Sequence, residues 1–359
     1  MPRLKPALAV LFFLFFLAAT ANLAQPRPVT GPVAPGDDSI DQAVQQFMDT
    51  VHAQSATAAV SRGGKLLFSR GYGWMDAAHR KPTRPDTLMR SASCSKSVTA
   101  AAIRTLIRGG KLTPDTKAFP LLALQSTTAK PGDPRLNDIT IEQLLAHKGG
   151  WDRDQSFDPM FKVRQVQQDL RLRTPACPAD VVRWMLAKPL DFQPGERSAY
   201  SNFGYCVLGR VIEKVTDKPY IEAVRQLVLD PAEIKDITLG HNSSKQRDPR
   251  ESFYPVPDEA FDLDVMDAHG GLIASAPALC QFLENYWISG QPRKPGARGQ
   301  SWLFFGSLPG TTAMVQQLPN GTNVAVLLNN RRNGFKDDND TLKTSIDDAV
   351  AKFLSAQQQ

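Results

Sequence analysis

The chain has no CxxC pair, and its four cysteines, Cys94, Cys177, Cys206 and Cys280, stand far apart at irregular intervals. That spacing excludes the clustered thiolates of a structural zinc site. A body of this size does not depend on disulfides, so the thiols are expected to be free and buried. A long basic tract is missing as well. The 42 Lys and Arg are dispersed among 36 Asp and Glu, for a formal charge of +6, which excludes the concentrated footprint of a nucleic-acid binder. No internal repeat is visible, and no apolar run reaches the roughly 20 residues needed to span a bilayer.

What stands at the N-terminus is shorter. Arg3 and Lys5 precede an apolar run from Ala7 to Ala19 that closes with Ala19-Thr20-Ala21. This is the pattern of a cleavable secretory signal over residues 1–21, with a retained membrane anchor as the alternative. Cleavage implies an exported protein, periplasmic or extracellular, without a stable membrane span. It also removes Arg3 and Lys5, so the formal charge falls from +6 to +4. Residues 22–38, rich in Pro, Gly and polar side chains, are expected to form a flexible leader. The folded body, 39–359, then holds about 320 residues, ample for one large core.

Periodicity divides that body into three parts. A helical pattern opens at Asp37-Asp38-Ser39 and carries Ile40, Val44, Phe47, Met48 and Val51 on one face. Two strand-like segments, Ala56 to Ser61 and Lys65 to Tyr72, flank Gly63-Gly64, and two more, Thr311 to Leu318 and Asn323 to Asn329, flank Pro319-Asn320-Gly321. Both are hairpin signals, since Gly and Asn-Gly tolerate the positive φ of tight turns. A terminal helix is expected from about Asp340 to Leu354. Between these ends, from about residue 93 to 282, the pattern is mainly helical. The fold class is therefore α+β: an antiparallel sheet built from residues of about 56–75 and 300–330, flanked by helices, plus a helical subdomain, with a cleft between the two.

The chemistry concentrates at Arg90-Ser-Ala-Ser93-Cys-Ser-Lys96, where a run of small polar residues leads into a helix that stops at Gly109-Gly110. Ser93 and Lys96, three residues apart, share a helix face, so the amine can approach the hydroxyl. A desolvated amine of lowered pKa can take the hydroxyl proton, and the Ser93 N–H at the helix start can face a developing oxyanion. Tyr200-Ser201-Asn202 supplies a phenol able to relay a proton and an amide able to hold a substrate amide. Either motif alone fits a capped helix with no catalytic role. Their company, in this order and about a hundred residues apart, is what a Ser-Lys-Tyr site would produce.

These two motifs resemble those of the class C β-lactamase, penicillin-binding-protein and DD-peptidase/esterase superfamily of serine hydrolases. Leu144-Leu-Ala-His-Lys-Gly-Gly150, Gly270-Gly-Leu-Ile-Ala-Ser275 and Gly306-Ser-Leu-Pro-Gly-Thr311 are also similar to that family, over nearly the whole body. The resemblance implies a β-lactamase/transpeptidase-like fold, with Ser93 as nucleophile, Lys96 and Tyr200 as the proton-handling pair and Asn202 as substrate-binding amide. It implies no cofactor and no metal. The substrate class is a small molecule or peptide, including peptidoglycan-derived ones, attacked at an ester or amide through an acyl-enzyme. A catalytically silent module that binds cell-wall peptides in the same cleft is the alternative.

One motif departs from the family. Where a Lys or His, a small residue and Gly usually line the cleft from an inner strand, this chain reads Phe304-Phe305-Gly306-Ser307. Phe304 offers substrate only an apolar surface, which argues for ester or uncharged amide substrates. The backbone N–H of Ser307 still completes an oxyanion hole with that of Ser93, because main-chain donors do not depend on side-chain identity. His269 either supplies the lost function beside Gly306 and Phe304 or is a structural His at a tight turn. His147 matches a structural position of the family. Asp152 and Arg153 either touch substrate from the rim or pair with each other.

Overall fold

A computed structural model describes residues 27–125, 132–257, 261–332 and 335–357. The expected signal, 1–21, lies outside the described residues. Six strands form one antiparallel sheet: β1 (Val29–Thr30), β2 (Ser55–Arg62), β3 (Lys65–Gly73), and, after a long excursion, β7 (Trp302–Leu308), β8 (Thr311–Gln317) and β9 (Thr322–Leu328). Their order is β1-β3-β2-β9-β8-β7. The N- and C-terminal hairpins therefore meet at β2 and β9, where Ala56 opposes Leu328 and Val60 opposes Val324. Both hairpins turn where the sequence placed them, with Gly63, Gly64 and Gly321 all at positive φ.

Alternation along these strands builds two cores. Ala56, Ala58, Val60, Met314, Val324, Val326 and Leu328 point to one face, where the helices Asp37–Val51 and Phe335–Ala356 cover them. Ala59, Ala313, Val315, Ala325 and Leu327 point to the other and join the core of the helical region. Strands buried on both faces read as near-continuous apolar runs, as residues 313–315 of β8 and 324–328 of β9 do.

The helical region includes the helices Ser95–Arg108, Pro178–Met185, Asn202–Thr216 and Ala276–Asn285, with shorter turns between them. It also holds a second sheet that the periodicity did not reveal, of β4 (Met89–Arg90), β6 (Leu272–Ala274) and β5 (Ile237–Leu239). These strands have only two or three residues each, too few to show a period.

Three expectations need correction. The leader is not free along its described length: Val29 and Thr30 pair with Tyr72 and Gly71 of β3, and Thr30 Oγ1 donates to the Thr83 carbonyl at 2.6 Å. Backbone pairing at a sheet edge needs no hydrophobic signature, so the sequence carried none. The terminal helix starts five residues early, at Phe335, where Asp337 and Asp338 suit a helix N-terminus and Asp338 pairs with Arg332. All four cysteines are free, but only Cys94, Cys206 and Cys280 are buried; Cys177, just before the helix Pro178–Met185, is exposed. Among the described residues no helix is long and apolar enough to cross a membrane.

Candidate active site

β4 delivers the chain to Ser93. Ser91 N–H and Oγ both donate to the Leu272 carbonyl of β6, at 2.9 and 2.8 Å, and Ser95 Oγ accepts from Leu272 N–H at 3.2 Å. Between these two staples Ala92 is held at φ 46°, a left-handed conformation that costs a non-glycine residue strain. Ser93 follows in the 3₁₀ turn Ala92–Cys94, immediately before the helix Ser95–Arg108, rather than within the α-helix itself. On the far side β7 presses against the same turn. A side chain at Gly306 would place its Cβ 2.2 Å from the Ser91 carbonyl oxygen, so only glycine lets the strand come this close.

Lys96 lies fully buried behind Ser93. Its Nζ donates to the His269 carbonyl at 2.6 Å and to Asn202 Oδ1 at 2.7 Å, and reaches Ser93 Oγ at 3.3 Å. Burial brings the amine down to about 7, with the nearby Asp158 charge working in the opposite direction. Two short carbonyl contacts occupy two N–H bonds. In the neutral amine the remaining lone pair therefore faces the Ser93 hydroxyl.

Tyr200 closes the triangle, its hydroxyl donating to Ser93 Oγ at 2.7 Å. Burial pushes this phenol up to about 12, while the Ser93 hydrogen bond and the Arg153 charge act to lower it. The Tyr200-Ser201-Asn202 run is positioned by its own helix. Ser201 caps Asn202–Thr216 by accepting from Gly204 N–H at 3.1 Å, and Ser201 N–H donates to His147 Nδ1 at 3.2 Å. The His147 ring packs 4.7 Å from that of Tyr200, and burial lowers its pKa to about 4, so it is neutral and supports the site as a packing group.

A cleft of about 620 Å³ opens in front of these groups, lined by Ser93, Tyr200, Asn202, His269 and Ser307 among others. Ser93 and Ser307 both line this cleft. Two expected wall residues are elsewhere. Phe304 packs with the core of the helical region, and the wall takes Phe305 and Ser307 from β7 instead. The reason is strand alternation: Phe304 shares a face with Gly306, which is pressed onto the nucleophile turn. Gly306 likewise is not part of the cleft lining and packs against Ser91 and Ala92.

His269 is buried and its pKa is driven well below the ordinary value by that burial, so its imidazole does not supply the missing cation. Its visible contribution is the carbonyl that holds Lys96. Asn202 has one amide hydrogen committed to Asp158 Oδ2, at 2.6 Å, and its oxygen to Lys96. Asp152 pairs with Arg197 at 2.8 Å, not with Arg153, which lies over the Tyr200 ring at 4.7 Å.

Sequence reasoning missed Asp158, Arg331 and Arg332. Asp158-Pro159 is a helix-start signal, and Asp158 does accept from Met160 N–H at 3.1 Å, but nothing in the sequence names Asn202 as its second partner. Arg331 and Arg332 follow β9 and line the cleft, where no motif marks them.

A mixed sheet and helical body of this order has the β-lactamase/transpeptidase-like fold, here enclosing a serine, a buried lysine and a tyrosine. The chain belongs to the β-lactamase family, whose model matches residues 40–334. It is 34% identical over 252 residues to a putative fimbrial assembly protein FimD of Dichelobacter nodosus, covering 67% of this chain and 59% of that protein's length. Esterase EstB of Burkholderia gladioli is 27% identical over 246 residues, covering 67% of this chain and 62% of the esterase. In structure, the D-amino acid amidase of Ochrobactrum anthropi superposes with a TM-score of 0.66 at 17% identity, covering 90% of this chain and 100% of the amidase. That likeness is one of fold.

Proposed function

We propose that the protein is an exported hydrolase that acts through an acyl-enzyme on Ser93, with an ester or amide of a small molecule or peptide as substrate, peptidoglycan-derived peptides included. The observation that carries this reading is the buried Lys96 amine, held by two carbonyl oxygens and directed at Ser93 Oγ, with Tyr200 on the same oxygen. A structural lysine gains nothing from such desolvation, whereas a general base gains a pKa near neutrality.

In the proposed step Ser93 Oγ bonds to the substrate carbonyl carbon as its proton passes to the Lys96 amine, and the carbonyl electron pair moves onto oxygen. The N–H groups of Ser93 and Ser307 receive that oxyanion. On collapse the bond to the leaving atom breaks, the leaving atom takes a proton from Tyr200, and the Lys96 ammonium passes its proton to the phenolate, which restores the neutral amine. Water then adds to the acyl carbon, giving its proton to the same base, and Ser93 is released with a proton returned to Oγ. The likeness to the named esterase supports an ester substrate, and Phe305 of β7 offers it an apolar wall.

Intact-mass measurement after exposure to a penicillin, an aryl ester and a D-Ala-D-Ala peptide tests this. A covalent adduct on the wild type that is lost in Ser93→Ala supports the acyl-enzyme, and the adduct's mass names the substrate class. Binding of these compounds with no adduct and no turnover would replace it with the silent binding module.

A further inference from the structure

The loop between Gly150 and Phe161 reaches the site twice. Arg153 places its guanidinium carbon 4.7 Å from the centre of the Tyr200 ring and lines the cleft. Five residues on, Asp158 accepts from Asn202 Nδ2 at 2.6 Å, and Asn202 Oδ1 accepts from Lys96 at 2.7 Å. The loop is anchored at both ends: Asp152 N–H donates to Asp191 Oδ2 at 2.7 Å, Arg197 pairs with Asp152 at 2.8 Å, and Asp158 caps the turn Pro159–Phe161. Two charges of opposite sign thus stand beside the two proton carriers, with Arg153 half-exposed and also 3.9 Å from Asp154. A cation over a phenol favours its phenolate, and an anion one amide away from an amine favours its ammonium.

We propose that Arg153 and Asp158 are positioning residues that polarise Tyr200 and Lys96 toward phenolate and ammonium, taking over from the loop side the electrostatic task that β7, with Phe304 and Phe305, does not perform. The proposal rests on the acyl-enzyme reading above. The polarised pair is the state the collapse step requires. As the bond to the leaving oxygen or nitrogen breaks and its electron pair moves onto that atom, Tyr200 gives up its proton; the phenolate persists until the Lys96 ammonium restores it.

Both carriers are faced by charges of both signs. Lys96 is faced by Asp158 and Arg153 from the loop, Cys94 from its own turn, the rings of Tyr200 and Tyr205 at 4.9 and 5.7 Å, and His147 and His269, both kept neutral by burial. Tyr200 is faced by Arg153, Asp158, Cys94 and His147. Burial alone disfavours both charged forms. Asp158 offsets it at Lys96, where the Arg153 charge adds to it, and Arg153 offsets it at Tyr200, where Asp158 adds to it; in each case the offsetting charge is the larger of the two.

The test uses the full protein and a series of acetate esters whose leaving groups run from nitrophenol to simple alcohols. A nitrophenolate departs without a proton, whereas an alkoxide needs the one from Tyr200. Arg153→Gln should lose about tenfold more kcat/KM on the alkyl esters than on the nitrophenyl ester, and Arg153→Lys should recover most of that difference. Asp158→Asn, near isosteric, should move the acid limb of the pH profile down by about one unit. Equal losses on every ester with an unmoved limb would overturn the proposal and leave the loop a structural role. Labelling of Ser93 by the nitrophenyl ester separates the two readings. Labelling retained in all variants keeps the acyl-enzyme even if the slopes are unchanged, and its absence from the wild type removes both.

Discussion

At the scale of single residues the site is governed by burial. Lys96 is a fully buried amine, lowered to about 7 from its ordinary value of 10.5, and the form that can accept a proton accumulates as pH rises through that point. The sign is therefore fixed: kcat/KM should fall about tenfold per unit below pH 7 and level off above it. A profile flat from pH 5 to 9 would assign the base elsewhere. Lys96→Met keeps the stem and removes the amine, and kcat on an aryl ester should drop by about 100-fold or more, measured with the fold checked by circular dichroism. Ser93, Lys96, Tyr200 and Asn202 were legible in the sequence because their motifs are short and contiguous. Asp158 and Arg153 were not recognisable in those roles, since a charge acts through distance in space and carries no spacing rule along the chain.

At the scale of elements, position comes from how closely β7 lies against the turn at Ser93. Gly306→Ala would set a Cβ 2.2 Å from the Ser91 carbonyl, and backbone cannot swing aside as a side chain can. The strand or the turn must shift, so kcat/KM should fall at least tenfold together with the thermal midpoint. Unchanged kinetics would show that the contact does not set the site. The helix Asn202–Thr216 makes a milder case. Ser201→Ala removes the cap on Gly204 N–H and should cost about 1 kcal/mol in urea unfolding. Hairpins and long helices were readable because turn residues and periodicity are local properties. The direction of Phe304 was not, because a family motif gives the strand but the packing of Gly306 decides which face turns to the cleft.

Across the whole molecule, stability joins parts remote from the chemistry. Glu251 is buried opposite Arg90, with Arg90 Nε 4.0 Å from Oε1, where Glu251 bridges in parallel to Leu88 just before β4. Burial pushes this carboxyl up to about 7 from 4.5. The folded chain then keeps a proton that the unfolded chain has already released. Between about pH 4.5 and 7 stability should decline as pH rises, and above 7 this contribution should be level. Urea midpoints taken from pH 5 to 7.5 should show the decline, and Glu251→Gln should flatten it. A wild-type curve rising through this window would place the titration elsewhere.

Alone, the sequence determined the two hairpins and the helix near each end, that the two ends of the chain supply the large sheet, and which hydroxyl, amine and phenol to examine. Each of these follows from interactions within a few residues or from a short motif. Only the tertiary structure decided that Tyr200 meets Ser93 across 107 positions, that a loop rather than β7 brings charge to the proton carriers, and that Phe304 faces the core. Those outcomes depend on the way separately formed elements exclude water from one another, and that is a property of the packed chain.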